Sequence, residues 1–171
     1  MSAEIEPILK KYRPFSRGYL YDNTALVYPR ILVGAGSYLN PVFTNFRQIS
    51  HVINCAENEA CPVGARNVYL PDRYVCLDSP DNQQVHLLNA FYAQFEHAMD
   101  TFLRSPDCTC VYVHCQAGMN RSATLAAAYV VKRFGVPLSN VIENMGKQRP
   151  CIMTNPSFQR QLAEFASNKK R

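Results

Sequence analysis

The chain has 171 residues, of which 47% are hydrophobic and 18% are charged, a balance that excludes a disordered protein and favours one globular domain. No apolar run approaches the roughly 20 residues that a membrane-spanning helix needs, and the first residues lack the apolar core of a secretory signal. We therefore expect a cytoplasmic protein without a membrane partner, with the nucleus as a second compartment.

The cysteine and charge counts limit the kinds of partner. Seven cysteines without an export signal predict reduced thiols, and the four histidines show no ligand spacing with them, so we expect no metal site. Eighteen Lys and Arg against 13 Asp and Glu give a net charge of +5, which favours anionic partners only weakly. This excess does not indicate nucleic acid as a partner, and the sequence carries no signal of an oligomeric state.

The first half of the chain begins with a segment of mixed composition. Residues 1–24 are rich in tyrosine, and we predict an N-terminal extension that is either helical or loosely structured. Short β-branched and apolar runs then predict four strands, at residues 25–28, 31–34, 51–56 and 74–77. Between residues 83 and 104, apolar residues recur at alternating steps of three and four, which predicts a helix packed on a core.

The second half alternates a strand with helices. Residues 108–114 are apolar almost throughout, as in a central parallel strand that is buried on both faces. Helices are predicted at residues 121–134, with Gly135 just past the end, at 139–147, and from Pro156 onward. The order of elements predicts an α/β fold, with a central, mostly parallel sheet of about five strands flanked by helices.

One loop, between the strand 108–114 and the helix 121–134, carries residues suited to chemistry in the string HCQAGMNRS. Cys115 stands at the carboxyl end of a buried strand, which is where open α/β sheets bind ligands. Gly118 permits unusual backbone dihedrals, so the loop amides can turn inward as an anion nest at the helix N-terminus. Arg121 adds a planar guanidinium that can hold two oxygens of a tetrahedral anion.

The same positive surroundings favour the thiolate form of Cys115, which is the form that attacks phosphorus. Ser122 can donate a hydrogen bond to the sulfur and help it to leave from a phosphocysteine. We expect His114 to hold the loop by hydrogen bonding and not to act as a base. The alternative is that Cys115 is only a small buried hydrophobic side chain. The glycine three residues later and the arginine six residues later favour the catalytic interpretation.

HCQAGMNRS resembles the signature of the cysteine-dependent protein phosphatases, and specifically of their dual-specificity branch. Four further segments resemble that branch, over about residues 25–165: YPRILVGAGSYLN, HVINCAEN, RSATLAAAYVVKRFG and RPCIMTNPSFQRQL. The resemblance implies a catalytic domain at residues 25–167 and a phosphate-binding loop between strand and helix, formed by Cys115, Gln116, Ala117, Gly118, Met119, Asn120 and Arg121. It also implies a hydrolase that acts on phosphotyrosine and phosphoserine or phosphothreonine of proteins through a phosphocysteine intermediate, without a cofactor or metal.

The mechanism that the resemblance implies needs a general acid, because an alkoxide is a poor leaving group. In the family this acid is an aspartate in a mobile loop, and the chain offers Asp78 and Asp81. The family pattern, Tyr-x-x-aliphatic-x-x-x-Asp, fits Tyr74, Leu77 and Asp81 without a gap. We therefore choose Asp81 and keep Asp78 as the alternative. The chain has no tryptophan, which excludes the Trp-Pro-Asp loop of the tyrosine-specific branch.

Asn155 and Arg149 match positions that support the loop in the family, with a helix N-cap and a surface charge as their structural alternatives. The neutral side chains of the loop argue against phosphoinositide substrates. Two other functions stay open: an RNA 5′-triphosphatase of the same superfamily, and a non-catalytic module that binds phosphorylated partners. Such triphosphatases usually continue with Thr-Gly, where this chain has Ser122 and Ala123, and inactive relatives typically lose the cysteine or the arginine.

Overall fold

The computed structural model describes residues 4–15, 24–40, 48–69, 71–82 and 84–168. Within these ranges the strands are β1 (Ala25–Tyr28), β2 (Ile31–Ala35), β3 (His51–Asn54), β4 (Tyr74–Cys76) and β5 (Val111–Cys115). The α-helices are α1 (Ile5–Lys10), α2 (Val63–Tyr69), α3 (Leu87–Arg104), α4 (Arg121–Phe134), α5 (Leu138–Gln148) and α6 (Pro156–Asn168).

The strands form one sheet in the order β1-β2-β5-β3-β4. Only the β1–β2 pair is antiparallel, so the predicted mostly parallel sheet of about five strands is confirmed. The register pairs Ala35 of β2 with Cys115 of β5, and Asn54 of β3 with His114 of β5. Because parallel strands end at the same edge, the segments that follow β2, β3, β4 and β5 meet around the end of the central strand.

Helices cover both faces of the sheet. Helices α3 and α4 pack on one face, with α5 and α6 against α4, and enclose the main hydrophobic core. A smaller core on the other face includes Ala65 and Tyr69 of α2. The sequence pattern did not predict α2, a short helix that contains a glycine and whose two buried side chains stand four residues apart. Among the described residues, none of the helices combines the length and the apolar character that crossing a membrane requires.

Helix α4 begins at Arg121 and ends at Phe134, as predicted. Gly135 follows with a φ of 67°, in the left-handed region that commonly ends a helix. Helix α3 begins later than predicted, at Leu87 instead of residue 83. The side chain of Asn82 accepts a hydrogen bond from the amide of Gln84, and this Asx turn competes with helical structure before Leu87.

Strand β5 also begins later than the apolar run suggested, at Val111 instead of residue 108. The amides of Thr109 and Cys110 donate to the hydroxyl of Ser50, at 2.8 and 3.2 Å, and are therefore not part of the strand ladder. Seven cysteines are present and all are free thiols.

The start of the chain packs on the rest of the domain. Ile5 and Leu9 of α1 are fully buried, and α1 contacts α5 and α6. Gly146 of α5 permits this approach, because a Cβ there would lie 3.1 Å from Leu9. Of the two alternatives for residues 1–24, the helical one holds for Ile5–Lys10. Residues 1–3 and 16–23 lie outside the described residues.

Candidate active site

Strand β5 carries the predicted nucleophile to the edge of the sheet. All five residues of β5 are buried, because β2 and β3 flank this strand and both faces of the sheet are covered. Cys115 is its last residue and is 2% exposed. Its Sγ lies 3.3 Å from the Oγ of Ser122, in the first turn of α4. The fold therefore brings together Cys115, the predicted nucleophile, and Ser122, which is predicted to donate a hydrogen bond to the departing sulfur.

The loop between β5 and α4 turns tightly at Gly118. This residue has a φ of +65°, and a Cβ on it would lie 2.2 Å from the backbone carbonyl of Gly34 in β2. Any other residue would therefore collide with the neighbouring strand as well as strain the backbone. The amide of Gly36 donates to the carbonyl of Gln116, at 3.1 Å, and ties the loop to the end of β2.

The segment between α5 and α6 holds the outer side of the loop. Arg149 is 1% exposed, and its guanidinium donates from Nε to the carbonyl of Gly118 (3.0 Å) and from Nη2 to that of Ala117 (2.6 Å). The amide of Met153 donates to the carbonyl of Met119, at 2.8 Å. Arg149 is thus no surface charge, and three successive loop carbonyls face this segment.

The orientation of these carbonyls decides where the loop amides point. In a trans peptide, the C=O of one residue and the N–H of the next face opposite ways. The amides of Gly118, Met119 and Asn120 therefore point away from the segment that binds the carbonyls, and within the described part of the chain they donate to no other group. This is the arrangement of an anion nest.

Asn155 caps α6 and also contacts the loop. Its Oδ1 accepts hydrogen bonds from the amides of Ser157 (2.9 Å) and Phe158 (3.3 Å), which is the N-cap geometry. Its own amide donates to the Oδ1 of Asn120, at 3.0 Å. The N-cap alternative is therefore confirmed, and the cap is joined to the loop through the side chain of Asn120.

Arg121 begins α4 and is 4% exposed. Its Nη1 donates to the carbonyl of Ser79 at 2.7 Å and lies 3.3 Å from the Oε1 of Glu57. Its Nε is buried and has no hydrogen-bond partner in the described ranges. One edge of the guanidinium is therefore held by the segments after β3 and β4, which leaves the Nε donor available for a ligand.

His114 lies fully buried behind the nucleophile. Its Nδ1 is 2.8 Å from the carbonyl oxygen of Cys115, so this nitrogen carries the proton, because a carbonyl can only accept. Burial, and to a smaller extent the nearby charge of Arg121, lowers the pKa of His114 to about 4. The imidazole is therefore neutral near pH 7, with its proton engaged by the backbone beside the sulfur.

The two candidate acids lie in the segment that follows β4, and both are exposed. Asp78 has a φ of 57°, a conformation that aspartate tolerates in turns, and its amide donates to the carbonyl of Ala56. Asp81 makes no hydrogen bond within the described residues. Both residues follow β4, which ends at the same edge of the sheet as β5, and the choice of Asp81 stays a prediction.

Glu57 and Ser79 were not found by sequence reasoning. Glu57 contacts Arg121 through its carboxylate, and Ser79 does so through its backbone carbonyl. An acidic residue soon after a strand at the edge that bears Cys115 is the one available signal for Glu57. A backbone carbonyl leaves no signal, because every residue type carries one.

Comparisons with known proteins show the family of the chain. The family model for the dual specificity phosphatase catalytic domain matches residues 31–168. Dual specificity protein phosphatase 4 of Gallus gallus is 35% identical over 95 residues, which are 56% of this chain and 24% of that protein. Dual specificity protein phosphatase 22 of Homo sapiens is 27% identical over 118 residues, which are 69% of this chain and 59% of that protein. The chain thus spans less than two thirds of the length of these relatives.

A solved structure shares the fold. The human tyrosine phosphatase-like serine/threonine/tyrosine-interacting protein matches with a TM-score of 0.70 and 24% identity, over 86% of this chain and 98% of that chain. The family model spans four of the five strands together with the loop, Cys115 and Arg121. The chain therefore belongs to the dual specificity phosphatase family, as a catalytic domain of that type.

Proposed function

We propose that this domain hydrolyses phosphate monoesters of phosphotyrosine and of phosphoserine or phosphothreonine in proteins, through a phosphocysteine intermediate. The observation that carries the proposal is the grouping of three features at one strand end. These are the buried sulfur of Cys115, the loop amides that face away from their carbonyl partners, and the unpartnered Nε of Arg121.

The first step is binding of the phosphate dianion. Amide N–H groups and a guanidinium provide donors that are fixed before the substrate arrives, which is the condition for strong electrostatic stabilisation of a transition state. The loop is held by Arg149 and Met153 from outside, so its donors need little rearrangement when the anion enters. The thiolate, and not the thiol, of Cys115 is the nucleophile in this proposal.

The second step transfers the phosphoryl group. The thiolate of Cys115 attacks phosphorus, so that an S–P bond forms while the P–O bond to the substrate breaks. The leaving oxygen takes the electron pair of that bond and a proton from Asp81. An alkoxide from serine or threonine needs this proton more than a phenoxide does, since it is the stronger base.

The third step releases phosphate. The Asp81 carboxylate accepts a proton from water while the water oxygen attacks phosphorus, and the S–P bond breaks. Cys115 leaves as a thiolate, and Ser122, at 3.3 Å, donates a hydrogen bond to the departing sulfur. The protonated Asp81 and the free thiolate restore the starting state. If Asp78 is the acid instead, the same two steps apply to its carboxylate.

Substitution of Cys115 tests the proposal. Wild-type protein should release phosphate from p-nitrophenyl phosphate and from peptides with phosphotyrosine, phosphoserine or phosphothreonine. Cys115→Ser should lose at least about 10³-fold in turnover while it still binds vanadate, because the cradle remains. Cys108→Ser, which changes a thiol outside the site, should keep full activity. Turnover that persists in Cys115→Ser would overturn the nucleophile assignment.

A phosphate-binding module without turnover is the second candidate function. One observation favours it, since the structurally similar human protein is described as phosphatase-like and as an interacting protein. The presence of both Cys115 and Arg121 supports the enzyme instead. Binding of phosphopeptides by wild-type protein without release of phosphate would favour the module. Release from triphosphate-ended RNA, with none from peptides, would favour the RNA 5′-triphosphatase.

A further inference from the structure

The rim around the candidate site carries one sign of charge. We define the acidic rim as the exposed carboxylates of Glu57, Glu59, Asp78 and Asp81, in the segments 55–62 and 77–86 that follow β3 and β4. Neither segment contains a lysine or an arginine. The rim is acidic although the whole chain has a net charge of +5.

Contacts show that both segments border the phosphate loop. The segment after β4 does so through the carbonyl of Ser79, which accepts a hydrogen bond from Arg121 at 2.7 Å. The Oε1 of Glu57 lies 3.3 Å from the guanidinium of Arg121. Glu59 stands on the short 3₁₀ turn Asn58–Ala60, which packs closely on Gly36, because a Cβ there would lie 2.0 Å from the carbonyl of Ala60. The amide of Gly36 in turn binds the loop at Gln116. The turn that carries Glu59 is therefore separated from the loop by one glycine.

The remaining borders of the site do not offset this charge within the described residues. The loop side chains from Gln116 to Asn120 are neutral. Arg149 is buried and committed to loop carbonyls. Arg13 forms an ion pair with Glu6 at 2.9 Å and donates to backbone carbonyls next to the loop.

The interior of the site has the opposite character. Arg121 is 4% exposed and pairs with Glu57 through Nη1, while its Nε has no partner in the described part of the chain, so one buried donor of this cation is available to an anion. A phosphate group satisfies this interior, while the residues beside it in a substrate meet the rim. Acidic or phosphorylated neighbours would repel the rim, and lysine or arginine neighbours would be attracted.

We propose that the preferred substrates are phosphorylated residues flanked by lysine or arginine. This inference rests on the proposed function and adds its sequence preference. The discrimination arises from exposed charge pairs, which are weak singly and are screened by salt. The preference for basic flanking residues should therefore be observed at low and moderate ionic strength and should fall as salt is added.

Two phosphopeptides of one sequence, with either arginine or glutamate on both sides of the phosphorylated residue, test the proposal. The arginine peptide should have the higher kcat/KM, by about tenfold at low salt, and the ratio should approach one in about 1 M salt. Equal values at low salt, or a preference for the glutamate peptide, would overturn the charge selection.

A matched pair of variants locates the effect. Glu59→Lys reverses a rim charge outside the catalytic machinery, and it should reduce the ratio of the two kcat/KM values several-fold. Glu164→Lys makes the same change in net charge on the exposed face of α6 and should leave the ratio unchanged. An equal drop in both variants would show that net charge, and not the rim, makes the selection.

The same ratio can be measured without turnover. Cys115→Ser protein should bind the arginine phosphopeptide about tenfold more tightly than the glutamate phosphopeptide at low salt. Absence of phosphate release from both peptides by wild-type protein would therefore count against the proposed function alone. Equal binding of both peptides would count against the charge selection alone.

Discussion

The phosphate loop, residues 115–121, and the acid segment, residues 77–86, border the same site but are held very differently. Loop carbonyls are bound by Arg149 and Met153, and the loop is tied to β2 through Gly36. The acid segment is anchored at its start, where Ser79 binds Cys55 and Arg121, while Asp81 makes no hydrogen bond within the described residues. Segments with few such bonds open more easily. The phosphate loop is therefore bound from two sides, whereas none of the described residues binds the carboxylate of Asp81.

Loss of the guanidinium should have the largest effect, because it removes the planar cationic donor that the phosphate loop offers to the substrate. Arg121→Lys keeps a positive charge but loses the planar fork, and we expect kcat/KM for p-nitrophenyl phosphate to fall by about 10³-fold. Inhibition by vanadate should weaken in parallel. Arg160→Lys, on the exposed face of α6, should match wild type. A loss below tenfold in Arg121→Lys would mean that one cation serves as well as another.

The effect of changes in the acid segment should depend on the leaving group. Asp81→Asn should reduce kcat/KM by about 10²-fold or more for a phosphoserine peptide, and far less for p-nitrophenyl phosphate, whose leaving group needs no proton. Asp78→Asn is the matched variant, because asparagine also tolerates the positive φ at that position. If Asp78→Asn shows the leaving-group dependence and Asp81→Asn does not, Asp78 is the acid.

Removal of the outer support tests how far the loop depends on it. Arg149→Met leaves the carbonyls of Ala117 and Gly118 without their buried donor. We therefore expect the free energy of unfolding to fall by about 3 kcal/mol. Arg160→Met makes the same change at an exposed position and should cost less than about 0.5 kcal/mol. Chemical denaturation of both variants measures the difference, and equal stabilities would show that the loop holds its shape without Arg149.

His114, behind the phosphate loop, should have a smaller effect, which is on the pH dependence of stability. Burial lowers the pKa of His114 from 6.5 to about 4, so the unfolded chain binds this proton at a higher pH than the folded chain. Stability should therefore fall on acidification, with His114 contributing about 2 kcal/mol of loss between about pH 7 and pH 5. His114→Asn should flatten that part of the profile, and His97→Gln, at an exposed position, should not. Chemical denaturation at several pH values measures these profiles. Parallel profiles of stability against pH for wild type and His114→Asn would contradict this assignment.

The local elements of the fold were predictable where the pattern is strong. Helix α4 matched its predicted bounds, because its apolar positions and the terminal Gly135 indicate the same helix end. Predictions were less accurate where a side chain competes with the backbone. Ser50 takes two amides that would otherwise extend β5, and Asn82 turns the chain before α3. Ser50 is distant from β5 in sequence, so pattern reasoning could not include it.

The residues of the candidate site also differ in how far the sequence predicts them. Cys115, Gly118, Arg121 and Ser122 lie within eight residues of one another, so their spacing on a strand, a turn and a helix was enough to predict a phosphate cradle. Glu57 contacts Arg121 only after the strands align, and the spacing of these two residues indicates nothing. Arg149 could be placed near the loop only by resemblance.

The sequence by itself therefore determined the features of the site that depend on residues close together in the chain. These are a cysteine at a strand end, a glycine for the turn, and an arginine at a helix start. Three properties needed the folded chain, namely which carbonyls Arg149 binds, which donor of Arg121 stays free, and that Glu57 lies beside Arg121. The physical reason is that a parallel sheet gathers the ends of strands that lie far apart in sequence.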